Sequence, residues 1–183
     1  MEISFEGIVL RPWVFSDAGE LALVADNKKI ADNIRDGFPN PYSIKDAQDW
    51  LNLILPENNP PKYFAITIGN LMAGSIGIVT KSNIYRKNFE IGFFVSEDFW
   101  GKGIATRAIK AITSYAFREF DIVRVYAESF TDNTGSRRAL EKAGFRLEAT
   151  LKKNIIKNDI IKDSCIYSVL REDFKSFPIE VKA

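Results

Sequence analysis

The sequence predicts a single mixed α+β domain in which a mostly antiparallel sheet of six to seven strands is flanked by about four helices. The length of 183 residues is close to that of one typical domain, and the 46% of apolar residues can fill a core. Hydrophobic residues recur first at helical spacing, then at strand spacing, and later at both in turn. Because this order is neither a regular alternation nor all strand, it indicates the mixed class. We expect the domain to cover residues 1–174, followed by a C-terminal tail at 175–183.

The first third of the chain is predicted to hold one short strand and two helices. Residues 8–12 form a strand that Pro12 ends. Asp17 and Glu20, three residues apart, have the spacing of a capped helix start. A second helix begins near Ser43, whose hydroxyl can cap it, and its apolar residues recur at helical spacing until Pro56.

Strand spacing begins near residue 62 and dominates the rest of the chain. Residues 63–68 and 71–80 are typical of an antiparallel hairpin, with a turn at residues 69–70. In the next strand, residues 88–95, Glu90 lies on the face opposite a row of apolar side chains. Further strands are predicted at 122–130, 147–156 and 160–170, and further helices at 104–119 and 134–143.

Composition excludes several kinds of catalytic site. The chain has no histidine, which removes Ser-His-Asp and Cys-His nucleophile pairs and HExxH zinc sites. Its one cysteine, Cys165, cannot build an internal disulfide or a cysteine-ligated metal site. We therefore expect no metal, and we expect Cys165 to be an inert buried residue.

The charge balance argues against large anionic partners. With 25 Lys plus Arg and 24 Asp plus Glu, the net charge is +1, and no cluster of basic residues would gather nucleic acid or anionic lipid. No apolar stretch approaches the roughly 20 residues of a membrane span. The first residues also lack a charged and apolar signal region. We expect a cytoplasmic protein without nucleic-acid or membrane partners.

The most informative segment, residues 97–106, joins a strand to an amphipathic helix and contains Gly101 and Gly103. Two glycines at such a junction let successive backbone N–H groups form a concave nest, and the helix N-terminus adds about half a positive charge. This combination binds phosphate oxygens. The segment is not a dinucleotide fingerprint, which would need glycine at Thr106, nor a P-loop. Taken alone, such a turn more often only connects two elements.

A second polar segment, residues 133–136, opens a helix directly after a strand and places an amide and a hydroxyl at its start. The commoner role of Asn133 or Thr134 is a helix N-cap, and Gly144 suits the other end of the same helix. The pairing of this segment with the glycine turn is what points to a binding site.

These segments resemble the GNAT superfamily of N-acetyltransferases, and more closely its RimJ/RimL branch, which acetylates protein N-termini. The resemblance spans nearly the whole chain and rests on several motifs that occur in order at compatible spacing. They are Ile8-x-Leu10-Arg11-Pro12, Glu90-Ile91-Gly92-Phe93, Trp100-Gly101-Lys102-Gly103-Ile104-Ala105-Thr106, Asn133-x-x-Ser136 with Glu141-Lys142-Ala143-Gly144-Phe145, and Val169-Leu170-Arg171-Glu172-Asp173-Phe174.

The resemblance implies a GNAT-type domain, a twisted sheet whose fourth and fifth strands, residues 88–95 and 122–130, splay apart around acetyl-CoA as co-substrate. A bulge in the fourth strand would free backbone N–H groups near Phe94 and Val95 for the acetyl and pantetheine portions, while residues 102–106 cradle the pyrophosphate. The cofactor-binding residues implied in this way are Phe94, Val95, Trp100, Gly101, Lys102, Gly103, Ile104, Ala105, Thr106, Asn133 and Ser136.

Three positions depart from the pattern of the family. Trp100 stands where many members have glutamine or arginine, although an aromatic residue is familiar in this branch. Leu140 stands where many members carry a tyrosine that protonates the departing thiolate. Ile155 stands at about the place where some members of the branch have a glutamate, which puts an identical general base in question.

Acetyl transfer to an amine needs a neutral nucleophile, a stabilised oxyanion and a proton for the leaving sulfur, and none of these requires histidine. The resemblance places the Ser136 hydroxyl beside the sulfur, so Ser136 is the candidate proton donor. Glu90 and Glu128 lie on the two strands that would splay, and either could hold the water that deprotonates the amine. The commoner role of such carboxylates is a solvated position on an exposed strand face.

The acceptor pocket is expected between the early helices and residues 34–42. Arg35, Phe38 and Tyr42 are the candidate substrate-binding residues, although the two aromatic rings could equally pack the helices onto the sheet. We predict acetyl transfer from acetyl-CoA to a primary amine by direct attack in a ternary complex, with a protein N-terminal α-amine as the first expectation. The alternatives are a small amine such as a polyamine, amino acid or antibiotic, or a non-catalytic acyl-CoA-binding module. A homodimer is left open.

Overall fold

The computed structural model describes residues 1–57 and 59–182 and shows one nine-stranded sheet with helices on both faces. The strands are β1 (Glu2–Phe5), β2 (Ile8–Pro12), β3 (Tyr63–Ile68), β4 (Leu71–Thr80), β5 (Asn88–Val95), β6 (Arg124–Phe130), β7 (Arg146–Lys157), β8 (Ile160–Leu170) and β9 (Glu180–Lys182). The helices are α1 (Ala18–Ala25), α2 (Lys28–Ala31), α3 (Ile44–Ile54), α4 (Ile104–Glu119) and α5 (Thr134–Lys142).

The strand order places one parallel pair inside an otherwise antiparallel sheet. The order is β7-β8-β6-β5-β4-β3-β2-β1-β9, and β5 with β6 is the parallel pair among the described strands. These two strands pair only through residues 88–90 and 124–126. Beyond that point β5 stays paired with β4, and β6 stays paired with β8. The sheet therefore opens into a V between β5 and β6, as the family resemblance implies.

Two hydrophobic cores hold the helices against opposite faces of the sheet. The β3 strand shows the division, because Phe64 and Ile66 belong to the core under α4, whereas Ala65, between them, belongs to the core under α1 and α3. Alternate residues of a strand face opposite sides, so a strand buried on both faces is apolar throughout. The larger core fixes α4 over the strands that carry the V.

Local signals explain where the helices begin. Ser43 and Asp46 form the expected capping box of α3, since the Ser43 hydroxyl accepts from the Asp46 N–H and the Asp46 carboxylate accepts from the Ser43 N–H. The predicted pairing of Asp17 with Glu20 at α1 is wrong. Asp17 accepts from the Val14 N–H and pairs with Arg11, and Glu20 instead accepts from the Met72 N–H of β4.

The mixed α+β prediction is confirmed, and the structure adds elements at its margins. The sheet has nine strands instead of six to seven, because β1 and β9 extend one edge. Both are four residues or shorter, too short for a clear alternation of apolar side chains. Residues 180–182 of the expected tail thus pair with β1, and the four-residue α2 is the fifth helix.

Three further findings concern Cys165, metal ligands and the character of the helices. Cys165 is buried and free, as expected. Among the described residues, no group of three or more His, Cys, Asp or Glu side chains is arranged to hold a metal ion. None of the described helices has both the length and the apolar character that crossing a membrane requires.

Candidate active site

One large cleft runs through the V between β5 and β6, with a volume of about 1490 Å³. It has two arms that meet where the strands separate. We name each arm after the role that the sequence predicts for it. The cofactor arm lies along the end of β5, the glycine turn and the start of α5, and the acceptor arm lies between residues 29–53 and the β7–β8 hairpin. All the site residues predicted from the sequence line this cleft except Lys102, whose ammonium lies 5.4 Å from the centre of the Phe99 ring.

The glycine turn at the head of α4 presents unbonded backbone N–H groups to the cofactor arm. Gly101 and Gly103 have φ angles of 74° and 73°, in the left-handed region that favours glycine. The first helical hydrogen bond runs from the Arg107 N–H to the Gly103 carbonyl, so the amides of residues 104–106 have no acceptor within the helix. No acidic side chain stands in the first turn of α4. These donors and the positive end of the helix suit an anionic phosphate group.

Arg107 holds this turn in place from outside the cleft. Its guanidinium donates to the Lys102 carbonyl at 3.0 Å and to the Glu6 carbonyl at 2.6 Å, which ties the glycine turn to the β1–β2 connection. The sequence did not single out Arg107, because its role depends on a contact across 101 residues of chain.

The end of β5 supplies further backbone donors, although not in the predicted way. The register of β4 with β5 is unbroken from Phe89 to Val95 over these fully described strands, so the predicted bulge in β5 is wrong. The Ser96 N–H donates to the Ala73 carbonyl of β4, and alternate residues of an antiparallel strand point the same way. The Phe94 amide therefore faces β4, whereas the Phe93 and Val95 amides face the cleft, because β6 has turned away.

Trp100 holds Val95 in place. Its indole N–H donates to the Val95 carbonyl at 2.7 Å, and the rest of the half-exposed ring lines the cofactor arm. The carbonyl that would otherwise face the open V is thereby satisfied. Trp100 thus orients the residue whose amide points into the cleft.

The start of α5 forms the opposite wall of the cofactor arm. The Asn133 side-chain oxygen accepts from the Ser136 N–H at 3.1 Å, so Asn133 is the N-cap of this helix. The half-buried Ser136 lines the cleft together with Asn133. Leu140 lies fully inside the core and does not reach the cleft. With Leu140 excluded, the hydroxyl-bearing residues that this helix places along the cleft are Thr134 and Ser136.

Glu90 lies where β5 and β6 separate, and its carboxylate is fully engaged. Oε1 accepts from Arg35 at 2.6 Å, and Oε2 accepts from Lys81 at 2.7 Å and from the Tyr126 hydroxyl at 3.2 Å. Burial works to raise the pKa of Glu90, but the Lys81 hydrogen bond and the Arg35 charge outweigh it and leave the pKa below its ordinary value. Glu90 is thus held in its charged form by three donors, which makes it poorly suited to accept a proton.

Glu128, on β6, faces Glu90 across the V and is less constrained. Its Oε1 accepts from the Asn154 side chain at 3.1 Å, and its Oε2 lies 3.5 Å from Arg35 Nη2. Its side chain remains 24% exposed, against 9% for Glu90. Of the two predicted carboxylates, Glu128 is therefore the one with room for a water molecule.

Three side chains of the segment 32–36 close the acceptor arm. Arg35 reaches the two glutamates, Asp32 accepts from Asn158 at 2.9 Å, and Asp36 accepts from Lys157 at 2.9 Å. The last two contacts join this segment to the turn of the β7–β8 hairpin. Sequence reasoning missed Lys157 and Asn158, because each lies more than 120 residues from its partner.

Phe38 and Tyr42 line the cleft and also pack against the neighbouring elements. Both line the acceptor arm, and the Phe38 ring lies 4.8 Å from Tyr42 and 5.5 Å from Phe94. Tyr42 is buried in the core under α1 and α3, and this burial, with a smaller contribution from Asp46, raises the pKa of Tyr42 to about 12. The pair forms an apolar wall whose phenol stays protonated at neutral pH.

Comparison with known proteins identifies the family. A family model described as an acetyltransferase (GNAT) domain matches residues 8–146. The chain belongs to the GNAT acetyltransferase family. This GNAT membership, predicted from the motifs, is confirmed.

Several curated relatives of this GNAT protein come from Bacillus subtilis strain 168, including YjcK and YdaF. The probable N-acetyltransferase YjcK is 37% identical over 101 residues, which are 54% of this chain and 56% of YjcK. This chain thus spans about half of the length of YjcK. The putative ribosomal N-acetyltransferase YdaF is 28% identical over 160 residues, which are 86% of this chain and 80% of YdaF.

A solved structure shows the same fold. RimL, a ribosomal L7/L12 α-N-protein acetyltransferase in complex with coenzyme A, superposes with a TM-score of 0.82 at 22% identity, covering 91% of this chain and 95% of RimL. At this identity the likeness shows the shared fold.

Proposed function

We propose that this GNAT protein transfers the acetyl group of acetyl-CoA to a primary amine, and that the acceptor is the α-amine of a protein N-terminus. One observation carries the proposal. Backbone donors of the cofactor arm and the carboxylates of the acceptor arm meet at the point where β5 and β6 separate. When bound, acetyl-CoA supplies the thioester whose carbonyl carbon the amine attacks.

The residues of the cofactor arm fit this co-substrate. The amides of residues 104–106 and the N-terminal end of α4 would hold the pyrophosphate. The Phe93 and Val95 amides, which face the open V, donate to the carbonyl oxygen as it gains negative charge. Removing one such donor in other acyl-transfer sites costs about 2.7–4 kcal/mol of transition-state stabilisation.

The acceptor arm supplies the proton chemistry. Glu128 holds the water that removes one proton from the incoming ammonium, and the neutral amine then forms the new carbon–nitrogen bond. As the carbon–sulfur bond breaks, Ser136 delivers a proton to the sulfur. The extra proton on the amide nitrogen returns through solvent to the Ser136 oxygen. The products are therefore the amide, the thiol and one net proton, which is the proton first removed from the ammonium.

The free energy of deprotonation favours an α-amine as acceptor. At pH 7 an α-amine with a pKa of about 8 costs about 1.4 kcal/mol to neutralise, whereas a lysine amine with a pKa of about 10.4 costs about 4.6 kcal/mol. A site whose base is water held by one carboxylate suits the cheaper step. The description of YdaF as a ribosomal N-acetyltransferase supports a protein acceptor.

The proposal is tested by measuring release of the free thiol from acetyl-CoA with peptides whose N-terminus is either free or blocked. We expect turnover with free N-termini, no turnover with blocked N-termini even when lysine is present, and a kcat at least tenfold lower in Glu128→Gln. Arg118→Ala, an exposed arginine on α4 outside the cleft, serves as the control. Acetyl-CoA binding without thiol release for any peptide or small amine would identify a non-catalytic module instead.

A further inference from the structure

The acceptor arm already contains a cation at the junction of its two carboxylates. A single nitrogen, Arg35 Nη2, lies 2.6 Å from Glu90 Oε1 and 3.5 Å from Glu128 Oε2. One nitrogen between two carboxylate oxygens is the arrangement that an ammonium group adopts, because its hydrogens point in three directions from one atom.

Arg35 is held far less firmly than the structural arginines of this protein. Arg11 donates hydrogen bonds from two nitrogens to the Asp17 carboxylate, at 2.7 and 2.9 Å. Arg171 donates to three backbone carbonyls. Arg35 uses one nitrogen, and its side chain is 68% exposed. The ion pairs of such a side chain are weak and exchange readily with other cations.

The charges of the cluster leave room for one cation. Without Arg35, the cluster consists of Glu90, Glu128 and Lys81, whose formal charges leave one negative charge uncompensated. The segment itself stays anchored when Arg35 leaves, because Asp32 and Asp36 bind the β7–β8 hairpin independently. The guanidinium can therefore leave the site without opening the segment.

We infer that Arg35 occupies the position of the acceptor's ammonium group, and that an acceptor binds by displacing it. The inference rests on the proposed function for the name of the ligand, a primary ammonium cation, and it makes Arg35 a specificity-determining residue. Only a cation that donates from one nitrogen to both Glu90 and Glu128 competes for the site. Tertiary and quaternary cations, with one N–H or none, do not.

The test measures binding without turnover. The full chain is titrated with n-butylammonium chloride at constant ionic strength, and the Glu128 backbone and Asn154 side-chain amide signals are followed by NMR. We expect Arg35→Ala and Arg35→Gln to bind n-butylammonium about fivefold more tightly than wild type, the gain expected from removing one exposed competing ion pair. Arg35→Lys, which keeps a competing cation, stays within about twofold of wild type.

Controls separate displacement from a general change. Tetramethylammonium chloride has the same charge and no N–H donor, so its weak binding is the same in wild type and Arg35→Ala. Adding Glu128→Gln to Arg35→Ala abolishes the gain, and Arg118→Ala behaves as wild type. Equal or weaker n-butylammonium binding by both Arg35→Ala and Arg35→Gln would overturn the inference. Thiol release is measured separately. If Arg35→Ala and Arg35→Gln bind n-butylammonium more tightly but no thiol is released, the proposed function is contradicted and the cation site is still supported.

Discussion

The two arms of the cleft recognise charge by different means. The cofactor arm uses backbone N–H groups, supplied by residues 104–106, Phe93 and Val95. The acceptor arm uses side chains, with Glu90 and Glu128 set against Arg35 and Lys81. Backbone donors are fixed by the path of the chain and keep their charge distribution at any pH. Side-chain charges can move, exchange partners and titrate.

This difference suits one ligand whose bound group is always the same and another that can vary. An arm made of backbone donors holds one constant group, such as a pyrophosphate, and few substitutions can change it. An arm made of side chains can change its acceptor by changing one residue. Acceptor choice in this fold is therefore expected to depend on residues such as Arg35 and Ile155, and cofactor choice on the glycine turn.

The largest expected effect comes from disrupting the glycine turn of the cofactor arm. Gly103→Val places a β-branched residue at a φ of 73°, where no neighbour crowds the side chain but the backbone conformation itself is strained. The turn then shifts and misdirects the amides of residues 104–106. We expect acetyl-CoA to bind about 100-fold more weakly, as measured by calorimetry. Gly19→Ala, in α1 outside the cleft, should bind acetyl-CoA as wild type does; equal affinity in Gly103→Val would contradict this account.

A smaller effect separates the two carboxylates of the acceptor arm. Glu90→Gln removes the carboxylate charge that faces the 29% exposed Lys81. We therefore expect the free energy of unfolding at pH 7 to fall by about 2 kcal/mol, less than for a fully buried pair. Because the folded-state pKa of Glu90 is lowered, its stabilisation is present above its ordinary pKa of 4.5 and is lost as pH falls through the folded value. Denaturant unfolding of both proteins from pH 7 to pH 3 should show the difference fading. Glu128→Gln should cost less than about 1 kcal/mol.

The smallest expected effect tests whether Trp100 orients Val95 in the cofactor arm. Trp100→Phe removes the hydrogen bond to the Val95 carbonyl and keeps an aromatic ring in the cleft. We expect acetyl-CoA affinity to fall about fivefold, since one hydrogen bond contributes about 1 kcal/mol. Trp13→Phe is the matched control, because the buried Trp13 indole makes no hydrogen bond among the described residues and lies outside the cleft. If Trp100→Phe binds acetyl-CoA as tightly as Trp13→Phe does, the Trp100 hydrogen bond does not contribute to acetyl-CoA binding.

The elements that form the cofactor arm were predictable because their sequence signals lie within a few residues of each other. Two glycines before an apolar helical pattern predicted the turn at 101–103, and Asn133 predicted the cap of α5. The acceptor arm was predictable only in part. Arg35, Glu90 and Glu128 were each named, but nothing in their spacing shows that Arg35 joins the two carboxylates. Their contacts cross 55 residues and more of chain, a distance over which hydrogen-bonding partners leave no periodic pattern.

The sequence by itself determined the mixed fold class, the family and the position of the glycine turn at the head of α4. Each of these depends on residues close together in the chain, through alternation, capping and the positive φ that glycine allows. The tertiary structure alone decided that the β5 donors are freed by the departure of β6 instead of by a bulge. It also decided that Glu90 is committed to Lys81 and Tyr126 while Glu128 keeps an open side. Both depend on how the strands diverge and which side chains then meet, and that geometry exists only once the sheet has formed.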